Sequence, residues 1–144
     1  MSVINHASQM KFISKSVTYT GGAGAGVAGG STTIFTVTGE VMVVALVPYC
    51  TTNLTESGAT ATIALGVTGA TSLFIAATNS VDIDAGEFWV DTTPDANGIA
   101  IPAALKDIAI TDNILTTHAA TNTNGGVIRF NLWWMPLSAD ANVT

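Results

Sequence analysis

Apolar and polar residues alternate with a period of two along much of this chain, and the alternation is densest over residues 125–138, GGVIRFNLWWMPLS. An extended backbone there sets Ile128, Phe130, Leu132 and Trp134 on one face and Arg129, Asn131 and Trp133 on the other. The first face suits a core; the second suits water or a partner.

The same period recurs upstream. Residues 12–20, with Phe12, Val17 and Tyr19 among Ser and Thr, predict a first strand. Residues 21–30, GGAGAGVAGG, have little side-chain restraint and predict a mobile loop or one pressed against a neighbour. Residues 32–38 and 41–49 are separated only by Gly39 and Glu40, a spacing that predicts a tight hairpin. The second of these strands is apolar on both faces, which places it mid-sheet and covered on both sides. Residues 59–67 and 71–78 pair across a turn at 68–70, and EFWVD around Trp89 is strand-like. Residues 102–107, opening with Pro102, predict a short helical turn. Residues 107–111 and 114–118 predict another hairpin across Asp112 and Asn113.

Eight or nine short strands with Gly, Asn, Asp and Thr turns predict an all-β fold, an antiparallel β-sandwich or jelly-roll-like barrel. Its span is 17–138, with residues 1–16 as an N-terminal arm and 139–144 as a C-terminal tail. At 144 residues the chain is long enough to bury about two thirds of its unfolded surface.

Composition alters this picture in one respect. Hydrophobic residues make up 48% and charged residues only 10%, against roughly 25% charged in typical soluble domains. So few charges cannot coat a lone surface, which predicts a homo-oligomer or larger assembly. Ten carboxylates against four Lys and Arg give a net charge of −6, which disfavours nucleic-acid phosphates as a partner. The longest apolar run, residues 41–47, stops at Pro48, far short of the roughly 20 residues of a membrane helix. The N-terminal MSVINHASQMKF has no apolar core of a secretion signal.

Candidate chemistry is sparse. Gly24, Gly26 and Gly29 match G-x-G-x-x-G, yet the residues that follow, STTIFTVT, are strand-like and supply no helix for a pyrophosphate. Asp82, Asp84, Glu87, Asp91 and Asp95 crowd one segment without the spacing of a calcium loop, and read as a solvated acidic loop. The single Cys50 ends an apolar run and reads as a small hydrophobe. His118, beside Thr and Asn at a strand end, reads as a surface hydrogen-bonder. These readings predict no catalytic, cofactor or metal site and a protein that is not an enzyme. The expected site is an interface built from Lys11, Phe12, Lys15, Arg129 and Trp133, since Trp and Arg concentrate binding energy and the lysines suit an acidic partner.

The segments TGGAGAGVAGGSTTIFTVTGEV, GATATIALGVTGATSLFIAAT and GGVIRFNLWWMPLS, with EFWVD between the last two, together resemble small β-rich virion proteins of tailed bacteriophages, those that decorate or cement the head. The resemblance implies a non-enzymatic protein that binds the major capsid protein on the outer shell, as a homo-oligomer with a trimer favoured, and stabilises the capsid. It implies synthesis in the host cytoplasm and residence in the virion, with no nucleic-acid or membrane partner. The alternative is a tail, fibre or adhesin-type module that binds carbohydrate, with Trp89 and Trp133 as stacking faces.

Overall fold

The computed structural model describes residues 9–22 and 24–144. Twelve strands lie among them: β1 (Lys11–Thr18), β2 (Ser31–Phe35), β3 (Val37–Thr38), β4 (Val41–Glu56), β5 (Thr62–Val67), β6 (Ala70–Asn79), β7 (Glu87–Phe88), β8 (Asp95–Ala96), β9 (Lys106–Ile110), β10 (Ile114–Ala119), β11 (Thr123–Pro136) and β12 (Asn142–Val143). Two short 3-10 turns, Ser80–Asp82 and Ala103–Leu105, are the only helical elements among the described residues that exceed a single position. The second falls where Pro102 predicts it.

The strands form two packed antiparallel sheets, as an all-β sandwich requires. A six-stranded sheet runs β1-β11-β4-β7-β8, with β9 pairing β4; a four-stranded sheet runs β2-β10-β5-β6; β3 and β12 make a separate pair. The count exceeds eight or nine because four of the strands, β3, β7, β8 and β12, have only two residues each and leave no periodic trace.

The spine is the β4–β11 pair. Ile128, Phe130, Leu132 and Trp134 all face the core at 3% exposure or less, as the alternation predicts. Val41, Val43, Leu46 and Cys50 of β4 join them, and the other sheet contributes Phe35, Ile63, Leu65 and Ile114. Burying such side chains contributes roughly 1.5–3 kcal/mol each.

Both predicted hairpins next to this spine are absent. β4 pairs with β11 and β9 while β2 pairs with β10, so the chain changes sheets between Phe35 and Val41. A 16-residue apolar strand gains more ladder and contact from the 14-residue β11 than from a five-residue β2. Likewise β9 joins β4 and β10 joins the opposite sheet. There Asn113 accepts a hydrogen bond from the Val37 amide at 2.8 Å, fastening a crossover rather than a reversal. The hairpin β5–β6 forms as expected, closing at Val67 and Ala70.

The boundaries shift as well. Lys11 to Ser16 lie in β1, held by a continuous register on β11 from Lys11↔Trp134 to Thr18↔Val127, so the arm is shorter than 1–16. Residues 1–8 of that arm lie outside the described residues. The C-terminal segment is no tail: Val143 is buried, and β12 pairs β3 through Val143↔Val37.

Trp89 anchors the segment that runs along β4. Its ring is fully buried, its backbone amide donates to the Pro48 carbonyl at 3.1 Å, and its indole N–H donates to Thr78 Oγ1 at 3.0 Å. Trp89→Phe leaves a void and removes the donor to the buried Thr78 hydroxyl. A loss of about 2–3 kcal/mol is expected, read as a lower midpoint in denaturant unfolding.

Candidate functional site

The outward face of the six-stranded sheet is the surface that the fold leaves aromatic. Register places Phe12 opposite Trp133, and Trp133 opposite Ala45. One row away Arg129 lies opposite Tyr49, and Tyr49 opposite Phe88. Side chains directly opposite one another in an antiparallel pair share a face, so all five rings and cations stand on one surface. The Phe12 and Trp133 rings are tilted at 4.9 Å between centroids, and Tyr49 meets Phe88 edge-on at 5.0 Å. Arg129 lies over the Tyr49 ring at 5.2 Å. Between the two groups Ser14 donates to Asn131 Oδ1 at 2.9 Å and the Asn131 amide donates to the Val47 carbonyl at 3.1 Å. These contacts hold the rings in place before any partner arrives, which lowers the ordering cost of binding.

Among the described residues the outer face of β4 is half-buried along residues 42–49, against a fully buried inner face. Val44, Val47 and Tyr49 on its outer face are half-buried, and Phe12 is 56% exposed. The outer face of the four-stranded sheet differs in chemistry. Along β2, β10 and β5, Ser31, Thr33, Ala64, Gly66, Leu115 and Thr117 line it, with no aromatic ring.

Of the five predicted interface residues, Phe12, Arg129 and Trp133 share this face; Lys11 and Lys15 do not. The lysines stand opposite the core residues Trp134 and Phe130, on the inner side of the edge strand β1. Lys11 Nζ sits 5.0 Å from the Trp134 ring and Lys15 Nζ 5.7 Å from the Phe35 ring. They cover the seam between the two sheets with their stems and keep their charge at its mouth. Tyr49 and Phe88 were not legible as site residues, since their membership depends on β4 and β7 lining up with Arg129.

His118 is not at the surface. It is 2% exposed, within a buried chain of side chains: Tyr19 OH to Thr116 Oγ1 at 3.3 Å, Thr116 Oγ1 to His118 Nε2 at 3.2 Å, His118 Nδ1 to Thr123 Oγ1 at 3.2 Å, and Thr123 Oγ1 to Ser80 Oγ at 2.8 Å. Burial pushes the imidazole down to about 4, so it is neutral at pH 7 with one ring nitrogen donating and the other accepting. The network ties Tyr19, just past β1, and Thr123 of β11 to Thr116 and His118 of β10 and to Ser80 of the 3-10 turn that follows β6, a structural task. Cys50 is buried, as expected of a small hydrophobe, and burial raises its thiol to about 11, which keeps it protonated.

The glycine motif leads into β2 rather than a helix, and the cleft of about 280 Å³ beside it is lined by residues 24–27 and 30–32, none of them titratable. Among the described residues no group of three or more His, Cys, Asp or Glu is placed to hold a metal ion. Trp89, buried and bonded to Thr78, has no face free for a sugar. No helix among the described residues is long and apolar enough to cross a membrane. The chain matches no protein-family model, and neither the curated proteins nor the solved structures contain a significant match to it.

Proposed function

We propose that this protein is a non-enzymatic structural component of a tailed-phage virion, docking on the outer surface of the capsid shell through the outer face of its six-stranded sheet. The observation that carries the reading is the preassembled aromatic and cationic surface of Phe12, Trp133, Arg129, Tyr49 and Phe88, which no further layer of the described residues covers. Its partner is the major capsid protein. A net charge of −6 supports the outer rather than the inner side of a shell, since packaged DNA repels it. Trp and Arg at the centre of a contact are the residues whose truncation costs most.

The reading is tested by adding purified protein to shells that lack it. The wild type should co-sediment with the shells and raise their resistance to heat. Trp133→Ala should weaken that association about 30-fold or more with its own fold intact, because the ring is partly exposed on the outer face and lies outside the core cluster. Wild-type protein that leaves the shells unbound would overturn the proposal. Saturable binding to glycans, abolished by the same substitution, would replace it with the carbohydrate-binding alternative.

A further inference from the structure

Two Asn-Gly pairs occur in the chain, Asn97-Gly98 and Asn124-Gly125. A glycine after asparagine leaves the backbone amide unshielded, so its nitrogen can attack the neighbouring carboxamide at high effective concentration. Both asparagines are exposed, so access to water does not separate them. What separates them is how firmly each is held.

Asn124-Gly125 lies inside β11, where Gly125 is paired with Thr55 of β4. The Asn124 carboxamide is held at both ends: Oδ1 accepts from Thr55 Oγ1 at 2.8 Å, and Nδ2 donates to Ser57 Oγ at 3.4 Å. Gly21 closes on it from the side, since a Cβ at residue 21 would stand 2.9 Å from the Asn124 Cβ. Asn97-Gly98 has none of these holds. It follows the two-residue β8, and among the described residues neither the Asn97 carboxamide nor the Gly98 amide makes a hydrogen bond. Asn97 has φ of +69° and Gly98 φ of +148°, and nothing stands within 4 Å of the Gly98 Cβ position. The Asn97 side chain therefore has the open space it needs to turn onto the Gly98 nitrogen.

From this contrast we infer that Asn97 is a self-modification site, where the folded chain converts its own asparagine to aspartate and isoaspartate with water as the only co-reactant. The Gly98 nitrogen gives up its proton and bonds to the Asn97 Cγ, and the carboxamide nitrogen takes up a proton and leaves as ammonia. The cyclic imide that results then adds one water. Cleavage of the new nitrogen–Cγ bond gives aspartate; cleavage of the original peptide bond gives isoaspartate, with Cβ and Cγ now in the main chain. No oxidant or reductant takes part. Each event adds one negative charge to the chain's −6. The change falls just past β8, whose Asp95 is paired with Phe88 of the docking face. The chemistry is independent of whether that face meets a shell.

Peptide mapping by mass spectrometry, after incubation of the purified protein in isotopically labelled water, tests the inference. In the folded protein Asn97 should convert at least about tenfold faster than Asn124, yielding both aspartyl and isoaspartyl peptides that carry the label. The rate should rise from pH 6 to pH 8, because the attacking amide must lose its proton. Unfolding in urea should bring the two rates within about twofold of each other, since the bonds that hold Asn124 are then gone. Asn97→Gln, whose longer side chain closes the ring poorly, should remove the acidic species that ion exchange resolves in aged wild type. No conversion at Asn97, equal rates at the two pairs in the folded protein, a contrast that survives urea, or an acidic species that persists in Asn97→Gln would each overturn the assignment.

Discussion

Lowering the pH from 7 to 4 is expected to cost the fold on the order of 3 kcal/mol through His118 alone. The imidazole titrates near 6.5 when unfolded and about 4 when buried, so between those values the unfolded chain binds more protons. Stability is therefore present in full above pH 6.5, falls as the pH drops through the window from about 6.5 to 4, and levels off below it. The cause is desolvation of a ring whose hydrogen-bond partners are two hydroxyls. Its titratable neighbours give a charged ring no relief. Tyr19, edge-on at 5.1 Å, is held neutral by burial, and Glu56, opposite Thr123 in the ladder, accepts from the Ala61 amide at 2.6 Å. Urea unfolding of the wild type and of His118→Gln at pH 7 and pH 4 isolates this contribution. The variant should be less stable at pH 7 and should lose about 3 kcal/mol less than the wild type on acidification. Equal losses would remove His118 as the source.

The second large effect is expected in the glycine-rich segment. Gly26 has φ of +96°, and a Cβ there would run into the Thr123 carbonyl. Its own carbonyl accepts from the Thr123 amide at 2.9 Å, so the backbone has no room to retreat. Gly26→Ala should therefore destabilise the protein by at least about 3 kcal/mol, combining left-handed backbone strain with a backbone clash. Gly24, two residues away, has open space where its Cβ would stand, and Gly24→Ala should change stability by less than about 0.5 kcal/mol. Thermal unfolding of the two variants distinguishes a clamped segment from a loose one. Similar midpoints would contradict the clamp.

That contrast shows what was legible in the sequence. Period-two alternation in residues 128–134 reports directly on burial, because opposite faces of one strand see opposite environments. Turn residues report only that the chain bends, not which sheet receives it, so Gly39 and Asn113 mark crossovers where their spacing suggested hairpins. The glycine segment looked free because glycine has no side chain to pack. Its order comes from Asn122, which accepts from the Ala28 amide and donates to the Gly21 carbonyl, from more than 90 positions away. His118 was misplaced for the same reason: Tyr19, 97 positions before Thr116, completes a polar cluster that no local window contains. Alternation placed Arg129 and Trp133 on the outward face, where Phe12 joins them, while Lys11 and Lys15, expected in the same interface, lie on the inner side of β1.

The outer face of the six-stranded sheet is the surface proposed to do the protein's work, and hydroxyl-radical footprinting of free and shell-bound protein tests that most directly. Phe12, Trp133 and Tyr49 should become protected on the shell while Leu73, an exposed residue of β6 in the other sheet, stays reactive. Protection of Leu73 with Phe12 and Trp133 unchanged would contradict it.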